Sequence, residues 1–347
     1  MPNLQNIERL CILRLSAIGD VCHAVAMVTR IRQQAPHIRI TWVIGKIEYQ
    51  LVKDIPEIEF VIFDKSRGRE AFKDLKNAFK GRMFDVLFLM QVAFRANLAS
   101  RQIPAKIRMG FDWARSKELH WLFANRRVAA HNHAHVLEGF MDFADAIGVP
   151  EQPLQWDMGL TEQDVEWAHQ HLAELGKFVA ICPAASKAER NWLPERYAAV
   201  ATHIQSLGYQ VVICGGPAPA ERQLADDILK HTNQECTDMV GQTSLKQLLA
   251  VLQQASLVIA PDTGPAHMAS TVSTPVIGLY AHSNPRRTGP YNDLSHVVSV
   301  YDQVIEEQTG KTWHVLPWGT RAKGQTLMER IEVDHVIEQV DVILTQA

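Results

Sequence analysis

Long hydrophobic runs are missing from this 347-residue chain. The longest, around Val86-Leu87-Phe88-Leu89-Met90, falls far short of the roughly 20 apolar residues a spanning helix needs. The first residues, Met1-Pro2-Asn3-Leu4-Gln5, show no basic region followed by an apolar core, so no secretory signal is expected. Cysteine is scarce: Cys11, Cys22, Cys182, Cys214 and Cys236 form no C-x-x-C pair. That excludes a disulfide scaffold and speaks against a zinc ribbon, and it fits reduced thiols, mostly buried in strands. A dinucleotide fingerprint is also absent, because Ser16–Asp20, after the first strand, holds one glycine where G-x-G-x-x-G would be needed. No RNP, zinc-finger or aromatic-interleaved basic motif occurs, so nucleic acid is not an expected partner. A cytoplasmic location is expected, with peripheral membrane contact left open.

What the chain does have is the composition of a globular enzyme, 47% hydrophobic and 21% charged, at a length that suggests two domains. The formal net charge of −3 hides an asymmetry. Residues 1–150 carry 22 Lys and Arg against 15 Asp and Glu, and the remainder carries 13 against 23. Residues 65–127 alone reach a net of +10. Such a segment points to an anionic ligand.

The apolar pattern reads as two rounds of strand, loop and helix. The first has strands at Arg9–Leu15, Ile38–Ile44, Ile58–Phe63 and Asp85–Met90, with helices at Val21–Gln34, Glu70–Phe79 and His135–Ala146. Residues 149–160, with Pro150 and Pro153, read as a linker, and Thr161 with Asp164 reads as a helix cap. The second has strands at Lys177–Cys182, Gln210–Cys214, Asp238–Val240, Leu257–Ala260 and Pro275–Leu279. Its helices are Pro194–Leu207, one after Gly215-Gly216-Pro217, one opening at Ser244, and Val333–Thr345. This alternation indicates parallel sheets. The expected fold is α/β, with two Rossmann-like, doubly wound domains facing a central cleft. Their expected bounds are 1–155 and 156–330, with a C-terminal helix, 331–347, packing back towards the first domain. Open α/β sheets bind ligands at the carboxyl ends of their strands.

Chemistry-bearing motifs fall at those ends. Asp262-Thr263-Gly264-Pro265-Ala266-His267 is a strand end, a carboxylate, a tight turn and a helix start. Backbone amides there can form an anion nest, while Asp262 suits a hydroxyl-rich group such as a sugar; an Asx-turn cap is the other reading. Arg67, Arg69 and Arg95 are expected in loops after strands of the first domain, where a planar guanidinium can bind two carboxylate or phosphate oxygens. His131, His133 and His135 alternate, but no Asp, Glu or Cys at ligand spacing joins them. An interdomain or helix-start role is expected there rather than a metal.

Together with Arg286-Arg287-Thr288-Gly289-Pro290-Tyr291 and Ser16-Ala17-Ile18-Gly19-Asp20-Val21, the Asp262–His267 motif resembles glycosyltransferase family 9, the ADP-heptose:lipopolysaccharide heptosyltransferases. The likeness runs from the first strand to at least Tyr291. It implies a GT-B fold and metal-independent, inverting transfer of L-glycero-D-manno-heptose from ADP-heptose to the lipopolysaccharide inner core, with no cofactor. The overall pattern leans towards the enzyme that adds the first heptose to Kdo. The second-heptose type, or a paralogue with another nucleotide-sugar donor, stays open. A dinucleotide oxidoreductase and a non-catalytic anion-binding protein are the competing readings.

The resemblance assigns Asp20 as the base, with His23 one turn on as a packed helix residue. The chain holds no D-x-D pair for a metal, so Lys187 or Arg190 is expected to take the diphosphate. Trp192-Leu193-Pro194 interrupts the family's Trp-Pro pair, and Arg190 is favoured by its distance to Trp192. Glu221 is expected on the ribose hydroxyls, and Thr243, with Ser244, beside the adenine. Ser186, Thr263, Gly264 and His267 complete the donor set. Ser16, Gly19 and Arg115 join Arg67, Arg69 and Arg95 as acceptor ligands for Kdo-lipid A. The chain is expected to act as a monomer at the cytoplasmic face of the inner membrane.

Overall fold

Continuous apolar strands dominate a computed structural model that describes residues 4–232 and 235–345. Met1-Pro2-Asn3 of the N-terminal reading, and residues 346–347 of the expected last helix, lie outside the described residues. By internal contacts the chain divides after Gly159 into two units.

The first unit runs β1 (Arg9–Leu13), α1 (Ile18–Gln34), β2 (Arg39–Gly45), α2 (Lys46–Val52), β3 (Ile58–Phe63), α3 (Arg69–Ala78), β4 (Phe84–Leu89), α4 (Phe94–Ser100), β5 (Ala105–Gly110), β6 (Arg126–Arg127) and α5 (Val136–Ala146). All its strands pair in parallel, in the order β3-β2-β1-β4-β5-β6. β1 and β4 sit centrally, and Leu10–Leu13 and Val86–Leu89 are buried. Burial on both faces is why these strands read as unbroken apolar runs rather than alternating ones. α1 is buried continuously from Val21 to Ile31 and packs on α5. Arg30, inside that stretch, is satisfied by the Val149 (2.5 Å) and Pro150 (2.8 Å) carbonyls and by Asp145 (2.7 Å).

Residues 149–157, expected as part of a linker, are strapped along α1 instead. Trp156 Nε1 donates to the Cys22 carbonyl (3.1 Å), and Arg32 pairs with Asp157 (2.7 Å). Pro150 and Pro153 break helix and strand, but they do not prevent side chains from docking the segment. Thr161 and Asp164 form the expected capping box.

The second unit runs α6 (Glu162–Leu172), β7 (Phe178–Ile181), α7 (Pro194–Ser206), β8 (Gln210–Ile213), α8 (Pro219–His231), β9 (Thr237–Asp238), α9 (Leu245–Gln254), β10 (Leu257–Pro261), α10 (Gly264–Thr271), β11 (Val276–Tyr280), α11 (Pro285–Thr288), β12 (Val298–Ser299), α12 (Tyr301–Thr309) and α13 (Val333–Thr345). Its strands are also parallel, in the order β12-β11-β10-β7-β8-β9. Renumbered within the unit, this is the order of the first sheet again. Each sheet therefore reverses its winding at one place, between β1 and β4 and between β7 and β10. That reversal is where doubly wound sheets open a crevice for ligands. α13 packs against α7, β11 and β12 of its own unit, burying Val336, Val340 and Leu344.

All five cysteines are buried and none is in a disulfide, though only Cys11 lies in a strand. Burial pushes the Cys11 and Cys22 thiols far up, which removes them as nucleophiles. Among the described residues no helix is long and apolar enough to cross a membrane.

Candidate active site

At the first reversal, β1 hands over to α1 through Ser16 and Ala17. Asp20 stands in the first turn of α1, where the helix N-terminus favours a carboxylate. Its Oδ2 accepts from the Ala17 amide (3.2 Å) and from the Arg14 guanidinium. Among the described residues Oδ1 has no hydrogen-bond partner, and the side chain keeps 32% of its surface exposed. One oxygen is thus held and the other is available. Arg14, 11% exposed, is itself fixed by the Met90 carbonyl (2.5 Å) and by the Phe140 ring, 5.2 Å from its centre. Gln91, just past β4, closes the reversal: its Oε1 accepts from the Leu15 amide (2.8 Å) and its Nε2 donates to Ser16 Oγ (3.1 Å). Arg14 and Gln91 were not anticipated. Arg14 read only as a strand residue, and Gln91 carries no motif. His23 is buried, its ring edge-on to His135 at 5.1 Å, as a packed helix residue should be.

The expected acceptor arginines are scattered. Arg69 opens α3 and Arg95 lies in α4, so both stand on helices rather than in loops, the strands before them being followed almost at once by helical turns. Both are exposed. Arg67 precedes α3 and pairs with Asp74 (2.5 Å). Arg115 is bound to Asp112, to Asp142 (2.7 Å) and to the Ala129 carbonyl (3.0 Å), which occupies its fork structurally. Gly19 lies in the first turn of α1. In the histidine run, His131 Nδ1 meets Asp142 (3.0 Å) and His135 caps α5 through Nδ1 (3.1 Å), the helix-start role expected for it. Among the described residues no group of three or more His, Cys, Asp or Glu could hold a metal ion.

At the second reversal, the loop after β7 contains a single 3-10 turn, Ala188–Arg190. Asn191 Oδ1 pins it through the Ala185 amide (2.7 Å), and the Trp192 indole, buried, donates to the Ile331 carbonyl (3.0 Å). Arg190 is thereby turned across the reversal to Asp262, donating to its carbonyl (3.2 Å) and lying 3.5 Å from Oδ2. Ser283, after β11, donates to the same Oδ2. Thr263 bridges back to the Ala184 carbonyl (3.3 Å) and leads into α10, where Gly264 is the first residue and His267 is buried. Burial and the Asp262 charge push the nearby Tyr280 phenol well up. Glu221, in the first turn of α8, accepts the Gly216 amide (2.6 Å) beside the end of β8. Thr243 immediately precedes Ser244, which caps α9. Ser186 and Lys187 stand at the outer part of the loop, with Lys187 57% exposed and 3.7 Å from Glu189.

A cavity of about 380 Å³ opens here, lined by Lys187, Glu189, Arg190, His282, Ser283 and residues 321–325. Arg321 and Lys323 were missed from sequence. They lie well past the last recognised motif, and only the fold brings them here. Their strap is fixed by backbone: Ala322 donates to the His282 carbonyl (2.9 Å), His282 Nε2 donates to Gly324 (2.9 Å), and Lys323 donates to Gln308 Oε1 (3.0 Å). Four cations therefore line a cavity whose lining carries one acid. Arg286, by contrast, turns to Asp302 (2.8 Å) and stacks over Trp313 at 4.4 Å, and it does not line this cavity.

Two winding reversals, one with a half-free aspartate and one with a cationic cavity, define an α/β group-transfer scaffold, and the comparisons name its class. Residues 72–331 match the model of glycosyltransferase family 9 (heptosyltransferase), and the chain belongs to that family. The lipopolysaccharide core heptosyltransferase OpsX of Haemophilus influenzae is 44% identical over 96% of both chains. Lipopolysaccharide heptosyltransferase 1 of Escherichia coli K12 is 22% identical over 82% of this chain and 91% of that protein. Among solved structures, a family 9 glycosyltransferase of Veillonella parvula aligns with a TM-score of 0.79 at 21% identity over 98% of both chains. E. coli heptosyltransferase WaaC with ADP aligns at 0.73 and 20% identity, over 96% of this chain and 99% of that one. The fold is therefore the two-unit Rossmann-like type that the resemblance implied.

Proposed function

We propose that this chain transfers L-glycero-D-manno-heptose from ADP-heptose to a Kdo hydroxyl of the lipopolysaccharide inner core, with inversion and without a metal ion. One pairing carries the reading: a carboxylate with one held and one available oxygen in the first unit, and a cationic, carboxylate-edged cavity in the second. In this mechanism Asp20 Oδ1 takes the proton of the acceptor hydroxyl while Arg14 and the Ala17 amide keep the carboxylate aimed. The hydroxyl oxygen attacks the anomeric carbon from the face opposite the diphosphate. The bond to the diphosphate oxygen breaks with its electron pair, and ADP leaves with one more negative charge than it had as an ester. Lys187, Arg190, Arg321 and Lys323 offset that charge, as preorganised cations do best in a partly enclosed site. Asp262, oriented by Arg190 and Ser283, accepts heptose hydroxyls, and Glu221 accepts those of the ribose. Ser186, Thr243, Thr263, Gly264 and His267 complete the donor site. Ser16, Gly19, Arg67, Arg69 and Arg95 remain the proposed acceptor ligands, while Arg115, held by Asp112 and Asp142, is read as structural.

The 44% identity to a core heptosyltransferase over nearly the whole chain supports the donor and the acceptor class. The first-heptose assignment belongs to this proposal, as do monomeric action and a peripheral location at the cytoplasmic face of the inner membrane. The test is incubation with ADP-heptose and truncated lipopolysaccharide acceptors that differ in Kdo phosphorylation and in the presence of the first heptose. Mass spectrometry should show one heptose added to the heptose-free acceptor. Addition only to the acceptor that already carries a heptose would reassign the enzyme to the second position.

A further inference from the structure

The first unit carries a cluster of large apolar side chains on its surface that the proposed chemistry does not use. Trp113 is 65% exposed, Leu122 58%, Leu119 49%, Phe94 48% and Trp121 42%. They belong together. The Trp113 and Trp121 rings lie 6.1 Å apart, and the Phe94 amide donates to the Glu118 carboxylate, which ties the start of α4 to the 117–122 turn. Monomeric surfaces scatter apolar residues singly; a contiguous patch marks an interaction site.

The surroundings of the patch decide what it meets. The Arg127 guanidinium lies 4.0 Å from the centre of the Trp113 ring and donates to the Trp121 carbonyl (3.4 Å). Lys117 is exposed in the same turn. Glu118, the acid within the turn, is occupied by the Phe94 amide. The patch lies inside residues 65–127, whose net charge is +10. Indole rings settle at the headgroup level of a bilayer, with the apolar body inward and the polar edge outward. Cations within a Debye length of anionic lipid are drawn to it. Tryptophan flanked by arginine and lysine therefore fits one occupant in both apolar character and charge sign.

We propose that this patch docks the chain on an anionic lipid bilayer, with Trp113, Trp121 and Leu122 entering the headgroup layer and Lys117 and Arg127 facing lipid phosphates. The inference deepens the peripheral location proposed above and rests on it, but it concerns the lipid surface and not the acceptor sugar. The test is flotation with vesicles of phosphatidylglycerol and phosphatidylcholine, and with phosphatidylcholine alone, all free of lipopolysaccharide. The wild-type chain should bind the anionic vesicles about tenfold or more better than the neutral ones, and added salt should weaken binding. The double variant Trp113→Ser/Trp121→Ser should lose about tenfold in affinity or more. Leu122→Asp should move binding the same way. All three side chains are exposed, so melting temperature should stay unchanged. Wild-type protein that ignores anionic vesicles, or variants that float as well as it does, would overturn the proposal. So would variants that convert a wild-type dimer to a monomer without altering flotation, since the patch would then join copies of this chain. Because the vesicles hold no acceptor, failure of the transferase reading leaves this result readable.

Discussion

In the proposed mechanism Asp20 divides its two oxygens between holding and reacting. Asp20→Asn keeps the shape and the hydrogen-bonding capacity but not the basicity. Turnover should fall by about 10²–10⁴ with ADP affinity unchanged, checked by product formation and calorimetry; near-normal turnover would remove Asp20 from the mechanism. Asp20 was legible because it sits in a motif at a strand end, whereas its partner Arg14 was not, because an arginine within an apolar strand announces no contact. The cations proposed for the diphosphate divide in the same way. Lys187 and Arg190 follow a recognisable strand, but Arg321 and Lys323 reach the cavity only through the strap pinned at His282 and Gln308. Replacing both strap residues with alanine should weaken ADP about tenfold to a hundredfold, as expected for lost charge-assisted bonds, and leave adenosine binding unchanged. Equal loss for both ligands would mean a general collapse of the cavity instead. Arg115 presents the opposite case. Bound on both sides by Asp112 and Asp142, it should cost about 3 kcal/mol of stability when changed to alanine. Unchanged melting with a raised KM for the acceptor would give it back to substrate binding.

The elements that read cleanly are those whose burial is uniform. β10 and β11 are buried from end to end, β1 and β4 are so apart from Arg9 and Asp85, and α1 is buried on every side from Val21 to Ile31. α2 and α4, each only seven residues long, are too short to show a helical period, and α4 is where Arg95 was misplaced. The turn between β5 and β6 depends on His120, which is fully buried. Its Nδ1 donates to Asn97 Oδ1 (2.9 Å) and its Nε2 accepts the Phe111 amide (3.3 Å). Both bonds require a neutral ring, and burial, with the Arg127 charge, lowers its pKa from 6.5 to about 4. The folded state thus binds its proton less readily than the unfolded chain does. His120 contributes stability in full above pH 6.5, and that contribution is lost as the pH falls towards 4. Melting temperature should drop more steeply across that window in the wild type than in His120→Gln, and identical slopes would contradict this. Gly110 serves the same turn, because a Cβ there would lie 2.7 Å from His120 Nε2 and 2.8 Å from Ala124 Cβ. Gly110→Ala should therefore destabilise by about 1–3 kcal/mol through overpacking, read by denaturant unfolding.

Across the whole molecule, the architecture repeats where the sequence does not: both sheets share one strand order, and both candidate sites lie where that order reverses. The alternation of strand and helix was enough to foresee this, since a parallel sheet needs a crossover for each strand. The basic half was read as the side of an anionic acceptor, and the cations proposed for the diphosphate belong to the acidic half, gathered locally by the β7 loop and the strap. Totals over a unit do not report what one cavity collects. The central claim is that these side chains, rather than a divalent cation, carry the leaving group. The rate of heptose transfer from ADP-heptose to a Kdo-terminated acceptor, followed by mass spectrometry with and without excess EDTA, tests it most directly. The account predicts the same rate in both; a rate abolished by EDTA and restored by added magnesium would contradict it.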